Sequence, residues 1–211
     1  MQKVIEGVTI VDPANTYISD EAVIGEGTVI KSNTYIEGAT VIGKNCVIGP
    51  NTQLTNMKIA DEVEITFSVL TESEVGRGTT VGPFAHVRPR CVIGEYCKVG
   101  AFVEVNKSVI GNRTKMAHLT LVDDADVGSN INFGCGTIVS NYDGANKFRS
   151  TIEDGAFIGA NTILVAPVTV KAGAYTAAGS TITEDVPENV LAIARARQVN
   201  KEGWKRPEKI K

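Results

Sequence analysis

The chain has 211 residues, 43% hydrophobic but only 6% aromatic, and a formal net charge of −3. Mild acidity argues against nucleic acid, which draws a basic surface, and no run of about 18 apolar residues is present to cross a membrane. The N-terminus lacks the basic-then-apolar order of a secretion signal, so the expected location is the cytoplasm.

Residues 1–17 read as a lead-in segment. From Ile18 an aliphatic residue then recurs every six positions, at Ile24, Ile30, Ile36, Ile42 and Ile48, and then Leu54. A small residue follows four positions after each of the first six: Ala22, Thr28, Thr34, Thr40, Cys46 and Thr52. Six residues turn an α-helix by about 600°, so this spacing does not keep one helical face apolar. Turn formers interrupt the alternation that a long strand needs. A six-residue repeat of this kind is the signature of a β-helix. Each hexapeptide makes a short strand and a turn, three strands close a triangular coil of about 18 residues, and coils stack through parallel ladders. Gly and Asn would supply the positive φ that tight corners require.

The repeat slips near Asn56–Lys58 and resumes at Ile59, Ile65, Val75, Val81, Val87, Ile93 and Val99. It continues through Val105, Ile110, Met116, Val122, Val127 and Phe133. A polar, turn-rich stretch beginning Ser140-Asn-Tyr-Asp-Gly-Ala-Asn-Lys147 then predicts a protruding loop over 140–151. Its amide, phenol and ammonium groups make it a candidate binding loop on a rigid scaffold. The repeat returns at Ile152, Ile158, Leu164, Val170, Thr176 and Ile182, and Asp185-Val-Pro187 ends it. The β-helix therefore spans 18–187. Residues 188–211 form a C-terminal arm and tail, in which Leu191–Arg197 is a short helix or an extended arm packing on the prism and the terminal lysines are a solvated tail.

Of four cysteines, Cys46, Cys91 and Cys97 fall at the small position of a hexapeptide and read as buried core residues. Cys135 breaks that phase. The two histidines, His86 and His118, do not furnish the three zinc ligands found in some hexapeptide enzymes, and no cysteine spacing suggests a metal. His118 lies close in coil phase to Phe102-Val-Glu104, and a neighbouring carboxylate would orient an imidazole as a base. On residues alone it is equally a structural side chain. Arg88 is either an anion anchor, since guanidinium suits phosphate geometry, or a surface charge.

An ordered set of motifs carries a resemblance. It comprises Gly7-Val-Thr-Ile-Val-Asp-Pro13, Val81-Gly-Pro-Phe-Ala85, Arg88-Pro89, Phe102-Val-Glu104, His118-Leu-Thr120, Asp124-Ala125, Asn141-Tyr-Asp-Gly144, Lys147, Val165-Ala-Pro-Val168, Ala178-Gly-Ser180 and Arg195. In this order the chain resembles the C-terminal acetyltransferase domain of bifunctional N-acetylglucosamine-1-phosphate uridylyltransferase/glucosamine-1-phosphate acetyltransferases. The resemblance covers essentially the whole chain. It implies a left-handed β-helix, acetyl-CoA as co-substrate, an amino-sugar phosphate as acceptor, and a homotrimer with sites between subunits. No glycine-rich nucleotide-binding stretch is present, so uridylyltransferase activity is expected to be absent from this chain. The sequence does not separate a fragment from a free-standing relative.

The resemblance also implies roles. His118 resembles the general base and Glu104 its carboxylate neighbour. Arg88 and Lys147 match residues that grip the sugar phosphate, and Asn132, Asn141 and Tyr142 match pocket or interface positions. The backbone N–H of Cys135 matches the donor facing the acetyl carbonyl, and Ala160, Ala178 and Arg195 fall at coenzyme A positions. The chain departs from the family pattern where a phosphate-binding Lys is Asn106, a phosphate-binding Tyr is Leu121, a Gly is Asp123, a Ser is Ala160 and an Ala is Cys135. Half of the phosphate clamp is thus missing. The competing expectation is a weak or inactive trimeric scaffold, or a coenzyme A-binding protein.

Overall fold

The computed structural model describes residues 6–207. Residues 1–5 of the lead-in, and Lys209 and Lys211 of the expected tail, lie outside the described residues. The chain winds into a three-sided prism of about ten coils. Every third strand joins the same sheet, giving faces of 11, 10 and 9 parallel strands among the described residues. The first face runs from Thr9–Ile10 to Leu191–Ala192, the second from Thr16–Ile18 to Thr181–Ile182, and the third from Val23–Ile24 to Thr169–Val170. A single 3-10 turn, Pro13–Asn15, lies among the described residues outside these strands and their turns.

The hexapeptide aliphatics fill the prism. Ile30, Ile36, Ile42, Ile48 and Leu54 are each at most 2% exposed. Successive coils align like on like, with Ile30 beside Ile48 and Ile36 beside Leu54, an offset of 18 residues. The slip seen in the sequence is a shorter coil: Leu70 aligns with Leu54 and Val75 with Ile59, an offset of 16. The corners lose residues while the inward rows stay continuous.

The small positions do more than fit a tight corner. Thr28 Oγ1 donates to Gly43 O at 2.9 Å and accepts the Cys46 N–H at 3.1 Å. Thr40 Oγ1 likewise accepts the Met57 N–H at 3.1 Å. Each hydroxyl thereby satisfies buried backbone groups that the turn leaves without a ladder partner. Cys46, Cys91 and Cys97 are buried, as their phase predicts, and Cys135 is exposed.

Positive φ at the corners is not confined to Gly and Asn. Phe67, Phe84, Phe102 and Leu119 adopt it at the corner between the first and second faces, a conformation uncommon for bulky residues. The Phe84 and Phe102 rings stack at 5.3 Å, with Phe67 tilted against Phe84 at 5.8 Å. Stacking of this kind contributes roughly 0.5–1.5 kcal/mol per pair, which offsets part of the local strain.

The sequence reading places a protruding loop at 140–151, and the ladders on either side bound a shorter stretch. Ile138–Ser140 is a strand of the second face and Ser150–Ile152 the next strand of the third, so residues 141–149 form the excursion between them. The prism does not feel it, since Val127 aligns with Ile152 in the same ladder, 25 residues on. At the ends, Thr9–Ile10 of the lead-in already pairs with Val29–Ile30, and Leu191–Ala192 of the arm adds a last strand beside Tyr175–Thr176. The arm is therefore extended rather than helical at that point.

Candidate active site

All but one of the sequence-nominated residues fall into two groups. The first group lies at the corner joining the first and second faces. His118 ends the strand Lys115–His118, beside Ala101 of the preceding coil, and is exposed. Met116 aligns with Phe133, Phe133 with Ile158, and Ile158 with Thr176. Two residues beyond each, the same corner carries His118, Cys135, Ala160 and Ala178 in successive coils. Thr176 then aligns with Ala192, which brings the arm over the last of them. Gly179 fits beneath Arg195, for a Cβ there would lie 3.7 Å from Arg195 Cδ. A file of small residues thus leads from His118 to a guanidinium.

The amide of Cys135 is free. Its carbonyl accepts from Asn161 N at 2.8 Å, but its N–H donates to no protein acceptor among the described residues. Other corners of the same local form are capped from the next coil. Lys44 N donates to Asp61 Oδ1 at 2.7 Å, Glu95 N to Asn112 Oδ1 at 2.8 Å, and Ser129 N to Asp154 Oδ1 at 2.7 Å. The residue in the capping register at Cys135 is Ala160, which has no acceptor to offer.

The second group runs across the second face, from Glu104 and Leu121 at the start of their strands to Asn106 and Asp123 at the corner with the third face. Glu104 makes no hydrogen bond to His118 among the described residues. It aligns with His86 and Leu121 on the second face, and its Oε1 accepts Arg88 Nη1 at 3.0 Å. The turn at Leu119–Thr120 separates the imidazole from that face, and the imidazole makes no side-chain hydrogen bond among the described residues. Arg88 is correspondingly not a free anion anchor. Leu121 is half-buried between Glu104 and Ile138 and brings no polar group.

Asn106 aligns with Asp123, and both are buried. Asn106 Nδ2 donates to Asp123 Oδ1 at 2.8 Å, and Lys147 Nζ donates to Asp123 Oδ2 at 3.2 Å. Lys147 Nζ also lies 3.9 Å from Asp124 Oδ2, which accepts Asn141 Nδ2 at 2.7 Å. Sequence reasoning missed the third clasp, Arg149, whose Nε donates to Asp126 Oδ2 at 2.6 Å and whose Nη1 donates to Lys107 O at 2.8 Å. The Arg149 guanidinium holds the Asp126 carboxyl below the usual aspartate range. Counting one coil back from the loop, from 149 to 126, is the signal that could have found it. Tyr142 is exposed, bridges antiparallel to Lys147 at the base of the turn, and donates its hydroxyl to Gly144 O at 2.6 Å.

Asn132 joins neither group. It lies on the first face between Lys115 and Phe157, in a groove also lined by Tyr96, Arg113 and Asn130. No cluster of three metal-ligating side chains occurs among the described residues.

The family described as "EIF2B subunit epsilon LbH domain" matches residues 3–105. A "Bifunctional protein GlmU" of Clostridium perfringens (strain SM101 / Type A) is 59% identical over 205 residues, 97% of this chain and 45% of the relative. One from Acetivibrio thermocellus is 56% identical over 198 residues, 94% of this chain and 43% of the relative. The chain therefore spans less than half the length of the curated relatives it matches. Among solved structures, an Arabidopsis UDP-N-acetylglucosamine acyltransferase shares the fold with a TM-score of 0.56 at 13% identity, over 91% of this chain and 71% of that one. The prism is a left-handed parallel β-helix. Over nearly its whole length, the chain is a relative of the C-terminal acetyltransferase part of the bifunctional GlmU proteins.

Proposed function

We propose that the chain is an acetyl-CoA-dependent N-acetyltransferase acting on an amino sugar, glucosamine 1-phosphate or a close relative, in cytoplasmic synthesis of UDP-N-acetylglucosamine and cell-envelope precursors. The observation that carries this reading is the exposed His118 one coil from the free N–H of Cys135. His118 takes the proton from the acceptor amine as its nitrogen attacks the thioester carbonyl. The Cys135 N–H donates to the oxygen as it gains charge, the kind of donor worth about 10²–10³ in rate. The C–N bond forms, the C–S bond breaks, and His118 returns the proton to the departing thiolate. The small residues Ala160 and Ala178 leave room along the corner for an extended pantetheine arm, with Arg195 at its far end for phosphate.

The partition of the site residues between two corners supports assembly. His118 and Lys147 lie on opposite edges of a face three residues wide at Leu121–Asp123, or roughly 10 Å. Packing of a second copy against this face brings one chain's edge to the other's, and a homotrimer with closed symmetry is the assembly we propose. The test is thiol release from acetyl-CoA with a panel of amino sugars, paired with light scattering for mass. The Arg88–Glu104 and Lys147–Asp123 pairs, which engage the nominated phosphate grips, favour the second reading of an inactive trimeric scaffold. Absence of thiol release with every amine would select it.

A further inference from the structure

We infer that the first face carries a binding site for a nucleoside diphosphate, with the phosphates on Lys98, Lys115 and Arg113 and the base against the Phe157 ring. On this face the outward side chains of successive coils are Lys98, Lys115, Asn132, Phe157 and Tyr175, each aligned with the next. Rungs lie about 4.8 Å apart, so the row runs cation, cation, amide, ring, ring over roughly 20 Å. Lys115 opens the strand that His118 ends. The row therefore lies along the opposite edge of the face from His118, roughly 10 Å away.

Like charges directly opposite each other destabilise a sheet, yet Lys98 and Lys115 are cross-strand partners. Neither they nor Arg113 makes an ion pair among the described residues. The surrounding carboxylates are engaged elsewhere or out of reach. Glu62 accepts from Arg77, Asp154 Oδ1 accepts Ser129 N at 2.7 Å, and Glu64 lies two rungs below Lys98. Glu95, next to Tyr96 at the corner, pairs with none of the three cations. Arg113 is held in place, with its guanidinium 6.0 Å over the Tyr96 ring, within cation–π range. That ring rests on Gly78, where a Cβ would meet it at 2.6 Å. Between Arg113, Lys115 and Asn132 opens a groove of about 610 Å³. The cations alone would suit any anion; the rings select a nucleotide. Phe157 and Tyr175 stack at 5.3 Å, both exposed, which leaves the Phe157 face toward Asn132 without a second ring. Asn132 is short, so its rung has room for a planar base, with the side-chain amide at the base edge. From Phe157 down to Lys115 is two rungs, or roughly 10 Å, a span that a diphosphate tail covers and a single phosphate does not.

The test is calorimetric titration of the full chain with UDP, with ADP and with inorganic pyrophosphate, in the absence of acetyl-CoA. Both nucleotides are expected to bind about 10- to 100-fold more tightly than pyrophosphate, the worth of one base stacked on a ring. Phe157→Leu should erase that margin and leave pyrophosphate binding as it was. Lys98→Met combined with Lys115→Met should weaken all three ligands by about 10-fold or more. Arg195→Met, at the far end of the proposed coenzyme path, should change none of them. Equal affinity for pyrophosphate and the nucleotides, nucleotide binding untouched by the lysine changes, or binding lost in Arg195→Met each overturns the inference. So does a chain that binds no nucleotide but changes mass by light scattering in the lysine variant, for the cations would then serve a second copy. No arm depends on turnover, so the acetyl-transfer reading stands or falls separately.

Discussion

His118 and Cys135 occupy the same corner in successive coils, tied by the alignment of Met116 with Phe133 and by the hydrogen bond from Gly136 N to Leu119 O at 3.0 Å. Adjacent strands lie about 4.8 Å apart. A proton acceptor and an amide donor are therefore held one rung apart by ladder bonds rather than by flexible side chains. Replacing His118 with Ala should lower kcat by about 10²–10⁴, the usual contribution of a positioned general base. The side chain is exposed, so thermal unfolding should not move. Unchanged turnover in steady-state assays would remove His118 from the mechanism.

Ala160 offers a sharper test of the amide. Asp61, Asn112 and Asp154 cap the equivalent N–H groups at three other corners. Ala160→Asp should place a carboxylate on the Cys135 N–H and engage the donor. The expected result is a fall in kcat of about 10²–10³ with no loss of thermal stability. Full activity together with a well-folded protein would mean that this amide does not serve the reaction.

The thiols should separate cleanly. Burial pushes the Cys46, Cys91 and Cys97 thiols up from their ordinary value, which leaves little thiolate to react. Cys135 is exposed on the proposed path of the acetyl donor. A thiol reagent should label one cysteine rapidly in the native protein, and coenzyme A should slow it. Peptide mapping that finds the fast site elsewhere, or no protection, would contradict the assignment.

The loop clasp carries a pH signature. Hydrogen bonding to Arg149 lowers the Asp126 pKa in the folded chain. Backbone N–H groups of Asn146 and Ala145 do the same for Asp143. The unfolded chain then binds protons more readily, so these contributions are present above the ordinary aspartate range and are lost as pH falls through the lower folded values. Amide protection in 141–149, measured against the intrinsic exchange rate at each pH, should hold down to about pH 4 and fall below it. Arg149→Met should make that exchange fast at neutral pH as well, and protection that ignores both changes would sink the clasp.

The prism was legible because its core obeys one rule, an aliphatic at each sixth position, and Ile30 to Leu54 follow it without exception. The site was less legible because faces, not sequence proximity, decide what meets. Glu104 and His118 are near in phase, yet Glu104 aligns with Leu121 and its carboxylate is hydrogen-bonded to Arg88. The pairing of Asn106 with Asp123 needed the coil length at that point, which is 17 residues rather than 18. The Phe67, Phe84 and Phe102 corners were invisible to turn rules, since those rules reserve positive φ for small residues and omit what ring stacking returns.

The offsets between aligned residues have a kinetic meaning. Among the described residues, neighbouring strands join positions 16 to 25 apart, and no ladder ties the first coil to the last. Each rung closes a loop of similar size, so the entropy cost recurs in equal instalments instead of falling on one long-range event. Folding of such a stack is nucleation followed by propagation, with each completed coil templating the next. Opening should run inward from the two ends. Hydrogen exchange resolved by coil would read as a gradient, slowest near the middle of the stack, and the proposed reaction centre at His118 and Cys135 lies well inside it.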